Sequence, residues 1–371
     1  MSQADLSSLT AQILVASFVL AAVFGAIAQR THFCTMGAVS DIVNMGDWTR
    51  MRMWIMAMGV AMIGFNAMVA LGWVQAGQSV SAGPRLIWLS NLLGGLLFGF
   101  GMVLASGCGS KTLVRIGGGS LKSLVVFFVL AVAAYATLRG ITAVARVATV
   151  DTVALTLSSG QDLPSLLAAV TGASRGILAL VLGGLIGLAL IAFALFKPEG
   201  RSADALLAGL GLGAVIVAVW WVSGRLGHLT EHPVTLEDVF LATNTQRMES
   251  LTFVAPMAYT VDWLILFSDK SKVLTIGIVT TFGVVLGSAA VALFNRSFRW
   301  EGFGGTEDTA NHVVGAMLMG VGGVTAMGCT VGQGLSGIST LALGSFIALA
   351  GIISGAVLAL RYQVWRLDQA G

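Results

Sequence analysis

Long apolar runs dominate this chain, and nine of them are long enough to cross a bilayer. They lie at about 12–29, 51–74, 86–106, 119–138, 174–196, 203–223, 272–294, 311–327 and 340–361. Roughly 20 apolar residues in a helix span the hydrocarbon core of a membrane. In that solvent every backbone N–H and C=O must find a partner inside the protein, and continuous runs without two-residue alternation do so as helices. Apolar residues make up 56% of the chain and charged residues 10%, with a mean hydropathy of +0.90, which excludes a soluble domain of this size. The expected fold is an all-α integral membrane protein with about nine transmembrane helices.

Four stretches between the runs are too short or too glycine-broken to cross: about 33–46, 109–117, 250–266 and 330–338. They are expected to be re-entrant half-helices, because irregular backbone at membrane depth needs protein or a polar cavity around it. Residues 139–173 and 224–249 are expected to be the two long segments outside the membrane. The first twelve residues contain Asp5 and no Lys or Arg, so they lack the basic start of a cleaved signal peptide, and the first span is expected to be retained.

Charge sets the expected orientation. Loops 30–52, 107–122, 197–201 and 295–310 and the C-terminal tail hold twelve of the twenty Lys and Arg, whereas the short loops 75–85 and 328–339 hold only Arg85. Basic short loops stay in the cytoplasm, which predicts a periplasmic N-terminus and a cytoplasmic C-terminus in a bacterial inner membrane. The net charge of +3 is small and spread out, and carries no sign of nucleic-acid binding.

An offset of 221 residues (329 − 108) places Cys108 on Cys329. The same offset places Gly99, Gly101, Ala105 and Gly107 on Gly320, Gly322, Ala326 and Gly328, and Asp41 on Asp262. Cys34 falls on Ala255. The reading is one transport domain over 1–371, with repeat 1 at about 12–138, a linking helix at about 174–196 and repeat 2 at about 203–361. An odd number of spans separates equivalent points, so the second copy is expected to enter from the opposite side. Inverted repeats of this kind place their solute at discontinuous helices near the midplane.

The three cysteines, Cys34, Cys108 and Cys329, each follow an apolar run and open a stretch rich in Gly, Ser or Thr. No C-x-x-C is present, which leaves neither a zinc cluster nor a thioredoxin-like pair, and no metal or other cofactor is expected. A thiol is a weak donor and a polarizable group, suited to an anion whose charge lies partly on sulfur. Half-helices starting at Thr35, at Gly109 and Ser110, and at Thr330 would aim N–H groups at such an anion, with Gly107 and Gly328 allowing close approach. A lone buried cysteine can also be a small packing residue. Gly107-Cys-Gly-Ser-Lys-Thr112 lacks the glycine before Lys111 and the preceding strand that a phosphate loop requires. His228 and His232 stand four apart without a third ligand nearby. Trp73, Trp88, Trp220 and Trp221 lie near span ends, as an aromatic belt would place them.

Arg30-Thr-His-Phe-Cys-Thr-Met-Gly-Ala-Val-Ser-Asp41, Gly107-Cys-Gly-Ser-Lys-Thr-Leu-Val-Arg115 and Gly328-Cys-Thr-Val-Gly-Gln-Gly334 resemble signatures of the YeeE/YedE membrane proteins. The resemblance runs over nearly the whole chain. It implies a sulfur-compound importer, best exemplified by bacterial thiosulfate uptake, with an hourglass-shaped path between two water-filled dips. It further implies that Cys34, Cys108 and Cys329 pass the anion along by S–H···S hydrogen bonds without lasting covalent attachment. A small cytoplasmic sulfur-carrier (TusA-like) protein is the implied recipient. This chain has Ser110-Lys-Thr112 where many thiosulfate-type members have Ser-Gly-Thr, and Lys111 is expected to snorkel to the inner surface. The readings left beside thiosulfate import are a selenium-related transporter of the same family, a membrane thiol oxidoreductase, and a membrane anchor for a sulfurtransferase.

Overall fold

The computed structural model describes residues 3–233 and 236–370; Met1, Ser2, Val234, Thr235 and Gly371 lie outside the described residues. Fifteen helices carry the fold. The first six are α1 (Gln3–Arg30), α2 (Thr35–Met45), α3 (Thr49–Ala70), α4 (Trp88–Leu104), α5 (Gly109–Gly117) and α6 (Leu121–Arg139). Then come α7 (Ile141–Ala148), α8 (Leu163–Thr171) and α9 (Arg175–Leu195). The last six are α10 (Ala203–Leu226, with two π turns), α11 (Val254–Ile265), α12 (Ile276–Phe294), α13 (Thr306–Thr325), α14 (residues 330–339) and α15 (Leu343–Ala370). Strand is confined to two-residue pairs, Arg85–Leu86 with Leu155–Thr156 and His228–Leu229 with Val239–Phe240.

Nine of these helices coincide with the nine apolar runs. Among the described residues, eight are long and apolar enough to cross a membrane, and α13 is the one that does not meet that measure. Its first turn carries Glu307 and Asp308, and His312 is buried one turn later. Packing against both α4 and α6 shields this more polar helix from lipid. The chain is an all-α integral membrane protein. Short helices occupy the four interrupted stretches: α2, α5, α11 and α14.

The order long, short, long, long, short, long runs from α1 to α6 and again from α10 to α15. Packing follows the same exchange. Helix α4 packs on α15 as α13 packs on α6, and α1 packs on α12 as α10 packs on α3. At the centre, α4 and α13 run antiparallel in backbone contact. A Cβ on Gly94 would lie 2.8 Å from the Gly322 carbonyl, and one on Gly101 would lie 2.6 Å from the Gly315 carbonyl. Such closeness is open only to glycine, and it replaces the hydrophobic driving force that lipid cannot supply. Asp41 of α2 pairs with Arg50 at 3.4 Å, and its equivalent Asp262 of α11 pairs with Lys272 at 2.6 Å.

Loops with opposite charge bias form two separate networks. On one side Lys122 pairs with Glu301, Leu121 N–H donates to the Glu301 carbonyl and Arg30 pairs with Asp204. On the other, Val80 N–H donates to the Met248 carbonyl, Arg85 pairs with Thr156, and Leu163 N–H donates to the Leu341 carbonyl.

Candidate functional site

All three cysteines sit on one backbone device. The helix before each ends in a Schellman turn: Phe33, Gly107 and Gly328 N–H donate to the carbonyls of Ala28, Met102 and Gly323. The left-handed residue two positions before each thiol is not glycine. It is His32 (φ 52°), Ser106 (φ 55°) and Met327 (φ 58°). Each such residue costs roughly 1–3 kcal/mol, and strained backbone of this kind collects where geometry is functional. The cysteine itself is then the last extended residue before a new short helix.

That position puts each cysteine at an N-cap, and at Cys34 and Cys329 the thiol itself accepts from the helix. Gly37 N–H donates to Cys34 Sγ at 3.3 Å, and Gly332 N–H donates to Cys329 Sγ at 3.4 Å. Both are the third helical N–H, the donor an N-cap side chain usually accepts from. A sulfur that accepts along the helix axis leaves its own S–H proton to point elsewhere. Cys108 Sγ shares a hydrogen with Ser110 Oγ at 3.2 Å. All three are free thiols and buried, at 7%, 0% and 0% exposure. Cys108 lies within electrostatic reach of both Cys34 and Cys329.

The supporting residues fall beside them. Thr35 and Thr330 are the first residues of α2 and α14, both buried, and the Thr330 hydroxyl has no hydrogen-bond partner. Gly107 lies under the stem of Lys111, Gly109 faces Phe253 and Met257, and Gly328 faces Gln333.

Two expectations need correction. Lys111 does not snorkel free of the site: it is half-buried, and its charge lies within reach of Cys34, Cys108, Arg115 and Arg50. Its stem packs 3.1 Å from the Cβ direction of Gly107, and this contact holds it beside the thiols. Trp220 is not part of an aromatic belt. It is 1% exposed and its indole N–H donates to Ser339 Oγ at 3.0 Å, tying α10 to the end of α14. Trp73 and Trp221 remain exposed. His32 is exposed, and His228 binds Asp238 at 2.7 Å while stacking on Phe240.

Gly328 and residues not singled out from the sequence form a recess of about 250 Å³ beside Cys329. Its wall includes Thr252, Gly328, Gly332, Ser336, Glu249 and Tyr259. Thr252 Oγ1 lies 4.0 Å from Cys329 Sγ, so the recess reaches the shell of that thiol. Glu249 lies in a stretch, residues 240–253, whose sequence has no periodicity to mark it.

A family model described as sulphur transport matches residues 30–358. A relative from Escherichia coli (strain K12), named thiosulfate transporter TsuA, is 26% identical over 346 residues, 92% of each chain. A second protein of that name, from Spirochaeta thermophila, is 27% identical over 350 residues, 90% of this chain and 93% of the relative. A protein from Salmonella typhimurium (strain LT2) named probable transporter YedE is 33% identical over 94 residues, 25% of this chain and 21% of its own. With the match extending over all three capped cysteines, the chain belongs to the sulphur transport family, that of the YeeE/YedE membrane proteins.

Proposed function

We propose that this protein imports thiosulfate, or a closely related inorganic sulfur anion, across the bacterial inner membrane. Its family makes it a membrane transporter of sulfur compounds and not an enzyme. The observation that carries the finer reading is the shared setting of the three thiols. Each is buried and free, each caps a short helix after a left-handed turn, and Cys108 interacts with both others.

In this reading the two copies of the long-short-long order are an inverted repeat, supported by the antiparallel contact of α4 and α13. Helices α2 and α5 enter from the cytoplasmic face and α14 from the periplasmic face. The two funnels meet near Cys108, giving an hourglass path. N–H groups at the helix starts solvate the oxygens of the anion, while the outward S–H of each cysteine serves its sulfur. Three weak sites in series favour passage over retention. The basic loops place the N-terminus in the periplasm and the C-terminus in the cytoplasm, where a small sulfur-carrier protein takes the anion.

The test is uptake of radiolabelled thiosulfate by the purified protein in liposomes, with sulfate, sulfite and selenite as competitors. Saturable uptake inhibited weakly by sulfate is expected. Selenite as the better competitor would favour the selenium reading, and absence of uptake would remove the transport of this anion. Thiol titration before and after turnover separates a relay from an oxidoreductase, which would form a reversible disulfide.

A further inference from the structure

We propose that Glu249 is a proton-binding gate of the recess beside Cys329, which admits the dianion only when the carboxyl carries its proton. The proposal rests on the transport reading above.

The backbone of Glu249 is fixed from both sides. Its N–H donates to Ser223 Oγ at 3.1 Å, and Ser223 donates back to its carbonyl. Ser223 is fully buried in α10 and the next residue, Ser250, donates to the Ile216 carbonyl of the same helix at 2.9 Å. The side chain is thereby held in the wall of the 250 Å³ recess, with Thr252, Gly332 and Ser336 on the way to Cys329. An anion in this recess would share its small volume with the carboxyl.

No cation answers that carboxyl among the described ion pairs. From its own segment only the Thr245 hydroxyl bonds it, while the Arg247 guanidinium lies against Gly83. From α7 comes Arg146, which also lines the recess but is held by Asp151 at 2.7 Å. From α11 comes the Tyr259 phenol, which interacts with Glu249 on one side and with Arg139, Tyr135 and Asp262 on the other. Asp262 is bonded to Lys272. His228 is bonded to Asp238. Helices α13 and α14 contribute Gly323, Val324, Gly332 and Ser336 to the lining, and no charge.

The physical consequence follows from two opposing preferences. Glu249 keeps part of its surface exposed, but that surface faces the recess, so desolvation prevails and lifts its pKa to about 8. At neutral pH the group is therefore an acid that can donate a hydrogen bond to an oxyanion. Ionised, it would set a negative charge against an incoming dianion in a small, weakly hydrated space.

The experiment varies external pH from about 6 to about 10 in liposomes with a fixed internal pH. Wild-type thiosulfate uptake should fall about tenfold per pH unit once the external pH exceeds the midpoint. Glu249→Gln, which cannot ionise, should lose that fall and exceed wild type at the alkaline end; Glu249→Asp should keep it. A Gln variant that follows the wild-type profile overturns the proposal, as does a flat wild-type profile. Infrared titration of the protein in lipid needs no transport. A protonated carboxyl band lost near pH 8 in wild type, missing in Glu249→Gln and shifted to higher pH by thiosulfate, is the expected result. A band lost in the ordinary carboxylate range overturns the gate even if uptake is normal. If thiosulfate is not carried at all but the band titrates near 8 and moves with selenite, the gate stands and the thiosulfate reading fails.

Discussion

The breaks at Cys108 and Cys329 share a backbone and differ in charge. Both follow a Schellman turn with a left-handed Ser106 or Met327, and both cap a short helix. At the repeat offset, Lys111 and Arg115 of α5 correspond to Gly332 and Ser336 of α14. The first break therefore carries two cations near Cys108 and Cys34, with Arg50 and His32 adjacent. The second offers hydroxyls, N–H groups and a thiol, beside a recess whose acid has no cation partner among the described ion pairs. The backbone device supplies donors at both ends of a path, while the side chains grade its potential.

The strongest way to break this comparison is to remove the feature both breaks share. Cys108→Ala and Cys329→Ala should each lower thiosulfate uptake more than about tenfold, the scale of one lost transition-state contact of about 1.4 kcal/mol. Unchanged melting temperature is the control, and normal uptake by either folded variant would reduce the thiols to packing residues.

Next comes the geometry around Cys329. A Cβ at Gly332 would collide with Thr252 Oγ1, which itself neighbours the thiol. Gly332→Ala should cut uptake by roughly tenfold with a destabilisation of about 1–3 kcal/mol from overpacking. Full uptake would show that Thr252 yields without affecting the path.

The charge difference itself is tested at Lys111. Lys111→Met keeps the stem over Gly107 and removes one of the two cations, reducing the electrostatic difference between the breaks. KM for thiosulfate should rise by roughly fivefold with kcat less affected, and the salt dependence of uptake should weaken. An unchanged KM would assign Lys111 to packing.

The smallest expected effect is at Thr330, whose buried hydroxyl has no partner. Thr330→Val should raise stability by about 1 kcal/mol, because an unsatisfied polar group is removed, while lowering uptake by about twofold. Higher stability with unaltered uptake would mean that the hydroxyl does not serve the anion.

Much of this was legible from residues alone. The nine runs and the four interrupted stretches follow from hydropathy and from Gly spacing, and helices occupy them. Where expectation failed, the cause was long-range. Trp220 sits near the end of a run, but Ser339, 119 residues away, takes its indole N–H into the interior. Lys111 has a stem long enough to reach water, but Gly107 in the preceding turn receives it. The polar first turn of α13 was hidden inside an apolar average; Glu307 there stays exposed and pairs with Arg366 at 2.8 Å, while the rest of the helix packs against α4 and α6.

The sequence by itself determined the membrane class, the places where helices break and the thiols at those breaks. Lipid enforces backbone pairing residue by residue, so local composition suffices to specify them. Only the tertiary structure decided that Asp41 and Asp262 hold equivalent ion pairs, and that Glu249 faces a recess whose Arg146 is already held by Asp151. Those depend on which distant side chains share a dry space, and no local preference encodes the neighbours of a buried charge.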